Sequence, residues 1–213
     1  MRTRQATPDE GLQVKIELAI YYVHWAFWGA FGLTRIILRR RDRKDSSAND
    51  KALISQKETT APYSRALLAF HGLAFGLMYF GIGYAVFRGL VPAWFPGQRI
   101  LGALVIAGGA ALMVWALVYF RSWRFRATLD KGHELATGGP FRILRHPIYM
   151  GLNLLALGTA VWIPTPIVWA AFVLMTMGSD LRARAEETVL EQAFGPSYRE
   201  YCARTRRFIP GIY

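Results

Sequence analysis

Four stretches of the chain carry no Asp, Glu, Lys or Arg: Leu18–Thr34, Ala66–Phe87, Ile100–Phe120 and Pro147–Ser179. A helix that crosses the hydrocarbon core of a bilayer needs roughly 20 apolar residues, and the first three stretches are close to that length. The fourth, at 33 residues, is too long for one crossing. Pro164-Thr165-Pro166 divides it, and proline inside a helix removes a donor and clashes with the preceding turn. The pattern therefore predicts a hairpin of two short helices, Ile148–Trp162 and Pro166–Ser179, and five membrane helices in all. After Asp180 it predicts a further helix to Phe194, a break at Gly195-Pro196 and a last short helix. The fold class expected is all-α and polytopic, with the C-terminal helices outside the membrane. Four apolar stretches in 213 residues leave too little polar surface for a soluble bundle.

Charge adds an orientation. Lys and Arg exceed Asp and Glu by 26 to 14, which in a soluble protein would suggest nucleic acid. Here the basic residues alternate along the chain: nine in 35–65, two in 88–99, six in 121–146, none at the Pro164 turn and six in 180–213. Basic residues concentrate in cytoplasmic loops of membrane proteins. The second, fourth and last polar regions are thus expected in the cytoplasm and the N-terminus outside, in a bacterial inner membrane. The cluster Arg39–Asp45 suits an anionic inner leaflet, and nucleic acid is not expected as a partner. The single cysteine, Cys202, excludes an intrachain disulfide, and the four histidines show no metal-ligand spacing. No short cleavable leader is visible.

The first two helices read as packing surface. Gly72 and Gly76 have the spacing that lets membrane helices approach closely, and His24 and His71 are expected as hydrogen-bonded interface residues. The 42–62 linker is polar and reads as a flexible loop. On a helical wheel, Asp180–Phe194 has a broad apolar face that includes Leu181, Ala185, Val189, Leu190, Ala193 and Phe194. Arg182 and Glu186 fall inside that arc, one turn apart. Charges turned toward a bundle are costly unless satisfied, so they either bridge each other or line a polar site. Glu187 falls on the outer face, as a solvated charge.

The stretch "GHELATGGPFRILRHPIYMG", followed by "AEETVLEQAFGPSYREY" and "RRFIP", resembles the isoprenylcysteine carboxyl methyltransferase family, whose wider relatives are the phospholipid methyltransferases. The resemblance covers residues 119–210, which separates N-terminal helices (1–118) from a core at 119–213. It implies an integral membrane enzyme that moves a methyl group from S-adenosylmethionine to a lipid-like or small amphiphilic acceptor at the membrane–cytosol boundary, the acceptor atom being carboxylate oxygen, amine nitrogen or thiol sulfur. Carried over to this sequence, it implies cofactor contacts from His133, Leu135, Gly138, Arg145, His146, Pro147, Tyr149, Gly151, Glu186 and Glu187, and no metal. The family's C-terminal Arg and Glu fall on Arg182 and Glu186, with Glu187 the alternative carboxylate, and Arg145 joins them as a catalytic candidate. A membrane sterol-type reductase using NADPH resembles the C-terminal end, but Pro147 in "RHPIYMG" and the acidic pair at 186–187 suit the methyltransferases better. A non-catalytic membrane protein of the same fold is the remaining alternative.

Overall fold

A computed structural model describes residues 8–45, 59–60, 63–119, 128–129 and 135–213. Among the described residues six α-helices follow one another: α1 (Pro8–Asp45), α2 (Ser64–Phe87), α3 (Gln98–Tyr119), α4 (Pro147–Trp162), α5 (Pro166–Phe194) and α6 (Pro196–Arg204). A 3-10 turn over Gly139–Arg142 precedes α4. Thr59–Thr60 pairs antiparallel with Thr128–Leu129. His133 and most of the 42–62 linker lie outside the described residues.

The all-α expectation holds. Among the described residues two helices are long and apolar enough to cross a bilayer, Arg65–Phe87 and Gln98–Tyr119, and α4 is a shorter apolar helix. The hairpin forms as its prolines dictate. Pro147 and Pro166 each occupy the first helical turn, where a missing N–H costs nothing. The Thr165 hydroxyl accepts from the Val168 amide to cap α5. Two expectations need correction. The helix expected at Leu18–Thr34 runs 38 residues, beyond the apolar run at both ends. The second arm of the hairpin does not stop at Ser179: α5 continues unbroken to Phe194, where Gly195 takes positive φ and ends it. A charge such as Asp180 marks where lipid gives out, but it does not interrupt a backbone ladder.

Large apolar side chains point both ways. Phe27, Ile106, Met113, Leu117, Ile148 and Leu155 form one buried cluster between α1, α3 and α4. Ile20, Met78, Ile82, Trp162, Ile163 and Met175 form another between α1, α2, α4 and α5. Trp25, Leu73, Phe80, Phe87 and Leu104 are more than half exposed, as suits side chains facing lipid. Between membrane helices there is little hydrophobic drive, and contact depends on close approach of small residues. Gly72 and Gly76 do not serve this purpose, since a Cβ at either would meet nothing within 4 Å. The close pairs are on α3 and α4. A Cβ at Gly158 would lie 2.6 Å from the Gly102 carbonyl oxygen, and one at Gly151 2.8 Å from that of Gly109. This packing fixes α4, and with it the polar residues just before it.

Polar groups within the bundle are paired across helices. The His24 ring bonds Tyr79 Oη (3.0 Å) and Thr159 Oγ1 (2.9 Å), tying α1 to α2 and α4. At the other end from the C-terminal helices, Glu17 accepts from Arg99 and from the Trp162 indole. Gln98 holds the α2–α3 connection through the Trp94 amide and the Pro92 carbonyl.

Candidate active site

The doorway residues before α4 are held by the chain's C-terminal segment. The Arg145 amide donates to the Arg206 carbonyl (2.7 Å), and the His146 amide donates to that of Arg207 (3.3 Å). The Arg145 guanidinium donates to the Thr205 carbonyl (2.7 Å) and to Glu187 Oε1 (2.8 Å). His146 Nε2 stands 3.1 Å from the same oxygen. Arg207 completes the cluster with bonds of 3.1 Å to Glu187 Oε1 and 2.6 Å to Oε2. Three basic side chains from two separate segments thus converge on one carboxylate.

Glu187 is therefore not the solvated charge that the helical wheel suggested. The wheel places it on the outer face of α5, but residues 205–207 and Arg145 fold over that face and leave its side chain 14% exposed. Burial alone would push its carboxyl up; hydrogen bonds from His146, Arg207 and Arg145 outweigh this and hold it well below the usual carboxylate range. His146 shows the reciprocal effect. Burial disfavours its protonation, yet its hydrogen bonds and charge interactions with Glu186 and Glu187 raise its pKa above the ordinary value.

A second ring of contacts backs the first. Arg207 reaches Asp180 (3.1 Å) and the Tyr213 hydroxyl (2.6 Å), and that hydroxyl donates to Asp180 (2.8 Å). Arg184 also donates to Asp180 (2.7 Å). Arg207, Asp180 and Tyr213 had no assigned role in the sequence reading. The "RRFIP" motif contained the arginine, but only its contact with Glu187 shows what it does.

Tyr149 stands at the centre of the other half of the site. It is buried, and its hydroxyl donates to Glu186 Oε1. Its ring stacks near those of His146 (centroids 5.8 Å) and His71 (6.1 Å). The Arg182 guanidinium lies over the same ring, 5.1 Å from the centroid, within cation–π range. Arg182 is buried, and Glu186 is one-fifth exposed with Oε2 3.6 Å from His146 Nδ1.

Beyond Tyr149 opens a cavity of about 410 Å³. Phe31, Phe75, Met113 and Leu152 give it an apolar wall, and His71, Tyr149 and Arg182 give it one polar end. Leu68 and Gly72 of α2, both exposed, border it. Gly72 thus borders a cavity and not a helix contact.

The remaining candidates divide. Pro147 begins α4 beside His146. Leu135 is half-buried, and Gly138 lies against Tyr119, whose hydroxyl occupies the space a Cβ there would need. The close approach at Gly151 is to Gly109 of α3, about three turns before Tyr119. Arg145, His146, Tyr149, Glu186 and Glu187 come together.

Apolar helices, a proline-bounded hairpin and a charged cluster at one end define an integral membrane protein with a polar site beside an apolar cavity. The Phospholipid methyltransferase family model matches residues 98–197. The chain is 37% identical over 88 residues to a probable protein-S-isoprenylcysteine O-methyltransferase of Oryza sativa subsp. indica, covering 41% of this chain and 46% of that one. It is 30% identical over 131 residues to protein-S-isoprenylcysteine O-methyltransferase A of Arabidopsis thaliana, covering 60% and 66%. It is also 32% identical over 116 residues to the cobalt-zinc-cadmium resistance protein CzcN of Cupriavidus metallidurans, covering 53% and 49%. The solved structure of a eukaryotic intramembrane Ras methyltransferase, isoprenylcysteine carboxyl methyltransferase, shares the fold at a TM-score of 0.61 and 18% identity, over 92% of this chain and 68% of that one. Over residues 98–197 the chain matches the membrane methyltransferase family that joins the phospholipid and isoprenylcysteine methyltransferases. It spans about half the length of the rice relative it matches.

Proposed function

We propose that this protein transfers a methyl group from S-adenosylmethionine to a lipid-like or small amphiphilic acceptor at the boundary between membrane and cytosol. The observation that carries this reading is the position of Tyr149: its hydroxyl meets Glu186 in the charged cluster while its ring walls the apolar cavity. One side of that wall suits a polar, water-borne donor and the other an acceptor that arrives through lipid.

The residues present fit such a donor. The first turn of α4 leaves amides without intrahelical partners, which favours a carboxylate. Glu186 has carboxylate surface left for an ammonium or ribose hydroxyls. The buried Tyr198 hydroxyl has no hydrogen-bond partner. When bound, the donor supplies a methyl group on a sulfonium sulfur. The protein's part is to align acceptor, methyl and sulfur, and correct positioning of this kind accounts for large rate factors. Glu187 does not present itself as a ligand; Arg145, His146 and Arg207 occupy it, and its role is to hold His146 and Arg145 in place.

Purified protein in lipid nanodiscs is expected to bind S-adenosylhomocysteine by titration calorimetry. His146→Ala should weaken that affinity about tenfold, the scale of one hydrogen bond involving a charged group. Binding of NADPH in its place would instead favour a reductase.

We read all of α1–α5 as membrane helices, with the charged cluster facing the cytoplasm of a bacterial cell. The alternation of basic segments supports this orientation. On a Cys202→Ser background, Ala93→Cys in the exposed α2–α3 connection should react with an impermeant maleimide from outside the cell. Labelling only after lysis would reverse the orientation.

A further inference from the structure

The cavity beside Tyr149 has a definite far end, and α1 and α2, outside the segment 98–197 matched by the family model, build it. On α2 the lining runs from Leu68 through His71 to Phe75, and Tyr79 lies one turn beyond Phe75. On α1 the lining residues are Phe31 and Trp28, and His24 lies one turn beyond Trp28. The two helices run in opposite directions: the Trp28 ring meets Phe75 (centroids 5.4 Å), and His24 meets Tyr79 (5.4 Å). Tyr79 and His24 therefore share the layer just beyond Trp28, on the side away from the cavity's polar end.

That layer is a directed chain of hydrogen bonds. The Thr159 hydroxyl donates to the Leu155 carbonyl (2.7 Å), so it accepts from His24 Nε2 (2.9 Å). The imidazole proton is thus on Nε2, and Nδ1 accepts from the Tyr79 hydroxyl (3.0 Å). The Tyr79 oxygen in turn accepts from the Trp28 indole N–H (2.8 Å). Each N–H and O–H along the chain has an acceptor, in an apolar bundle where losing one would be costly. The chain fixes the rotation of the one member whose ring lines the cavity, Trp28. Edge contacts with Phe31 (5.9 Å) and Phe75 support that ring from within the lining itself.

We propose that Trp28 is the floor of the acceptor cavity, held by the Tyr79–His24–Thr159 chain, and that the methyl acceptor is a molecule with one unbranched alkyl chain of limited length. This rests on the methyltransferase reading above and goes further by naming the substrate class. The acceptor's reacting group stays at the polar end beside Tyr149, and its chain runs toward Trp28. Along α2 the lined stretch from Leu68 to Phe75 is about 10 Å, at 1.5 Å per residue. A longer chain meets a ring that cannot turn aside without giving up its hydrogen bond. The volume of about 410 Å³ is near the lower end of the roughly 300–1,000 Å³ usual for small-molecule sites, which suits one chain and not two. Trp28 is the specificity-determining residue, and Tyr79 and His24 are positioning residues that act through it.

The test uses the full-length protein in nanodiscs with S-adenosylmethionine and nine acceptors: the thiol, the amine and the carboxylic acid of hexyl, decyl and hexadecyl chains. Methyl transfer and S-adenosylhomocysteine binding are measured together. Whichever head group reacts, the hexadecyl compound is expected to have a kcat/KM about tenfold or more below the better of the two shorter chains, the scale at which apolar pockets discriminate by size. Trp28→Ala removes the floor and should erase most of that penalty, with S-adenosylhomocysteine affinity unchanged. Tyr79→Phe keeps the ring and removes only the oxygen that holds Trp28. It should reduce the penalty by a smaller factor, and it serves if Trp28→Ala does not fold. A purely structural role for either residue would lower Tm and leave the length profile as it was. A hexadecyl acceptor used as well as the shorter chains by the wild type, an unchanged length profile in a folded Trp28 or Tyr79 variant, or no transfer to any of the nine while S-adenosylhomocysteine binds overturns the assignment. Failure to bind S-adenosylhomocysteine at all removes the methyltransferase reading itself, and the inference with it.

Discussion

Glu187→Ala is expected to lower the Tm by about 6–12 °C and to weaken cofactor binding at the same time. The carboxylate is shared by Arg145, His146 and Arg207. Removing it leaves three clustered cations without their common partner. Breaking a buried ion pair from one side costs about 3–5 kcal/mol, and the lower figure suits a group with some remaining exposure. For a chain of this size about 1 kcal/mol moves Tm by roughly 2–4 °C. The effect reaches the cofactor because the same contacts hold the C-terminal segment against the start of α4. Glu187→Gln keeps an acceptor and a shape but not the charge, so it should fall between alanine and wild type.

The pH dependence follows from the same cluster, and its two components have opposite sign. His146 has a raised pKa in the folded protein. Its contribution is complete below the unfolded value of about 6.5 and is lost as pH rises through the folded value. Glu187 has a depressed pKa. Its contribution is present above an unfolded value of about 4.3 and is lost as pH falls through the folded one. Stability from the cluster should therefore be greatest at about pH 5–6.5 and decline on the alkaline side. Tm measured against pH checks this: Glu187→Gln should flatten the alkaline decline. An unchanged slope would mean that His146 does not depend on Glu187.

The sequence located the membrane helices closely where the charge-free run and the helix coincide. Ala66–Phe87 and Ile100–Phe120 became Ser64–Phe87 and Gln98–Tyr119, and the Pro164 turn produced the hairpin. It failed for α1 and α5, because charge reports the change of solvent while the backbone continues through it. The glycine reading failed for a different reason. Gly72 and Gly76 have a local spacing that permits packing, but whether a partner lies opposite depends on the fold; Gly151 and Gly158 met Gly109 and Gly102 because α3 and α4 run together. At the site, "RHPIY" and "AEE" marked Arg145, His146, Tyr149, Glu186 and Glu187, which do converge. The wheel misplaced Glu187 because a wheel has no knowledge of what folds back onto a helix 20 residues later. Arg207 was unreadable on the same ground, since it gains its place from a contact between distant segments; His71 was expected as a hydrogen-bonded interface residue and does bond Ser179 of α5.

Arg182 and Glu186 remain the pair on which the catalytic reading turns. Arg182 is buried over the Tyr149 ring and lines the cavity, while Glu186 accepts from the Tyr149 hydroxyl. If their purpose is structural, replacing both with apolar residues should be tolerated, because exchanging a buried polar pair for well-packed apolar side chains is often neutral or stabilising. If they position donor and acceptor, the double variant Arg182→Met, Glu186→Leu should stay folded and lose transfer by a factor of about 100 or more. The two single variants separate their parts. Arg182→Met should act mainly on turnover and on acceptor KM, with S-adenosylhomocysteine affinity retained, because Arg182 lies on the cavity side. Glu186→Gln keeps an acceptor for the Tyr149 hydroxyl but loses the charge, and should weaken S-adenosylhomocysteine binding. Tyr149→Phe is the control: it keeps the ring beneath Arg182 and removes only the hydroxyl that Glu186 holds. Tm and methyl transfer are read together on all four proteins. Wild-type turnover in the double variant would leave Arg182 and Glu186 as structure.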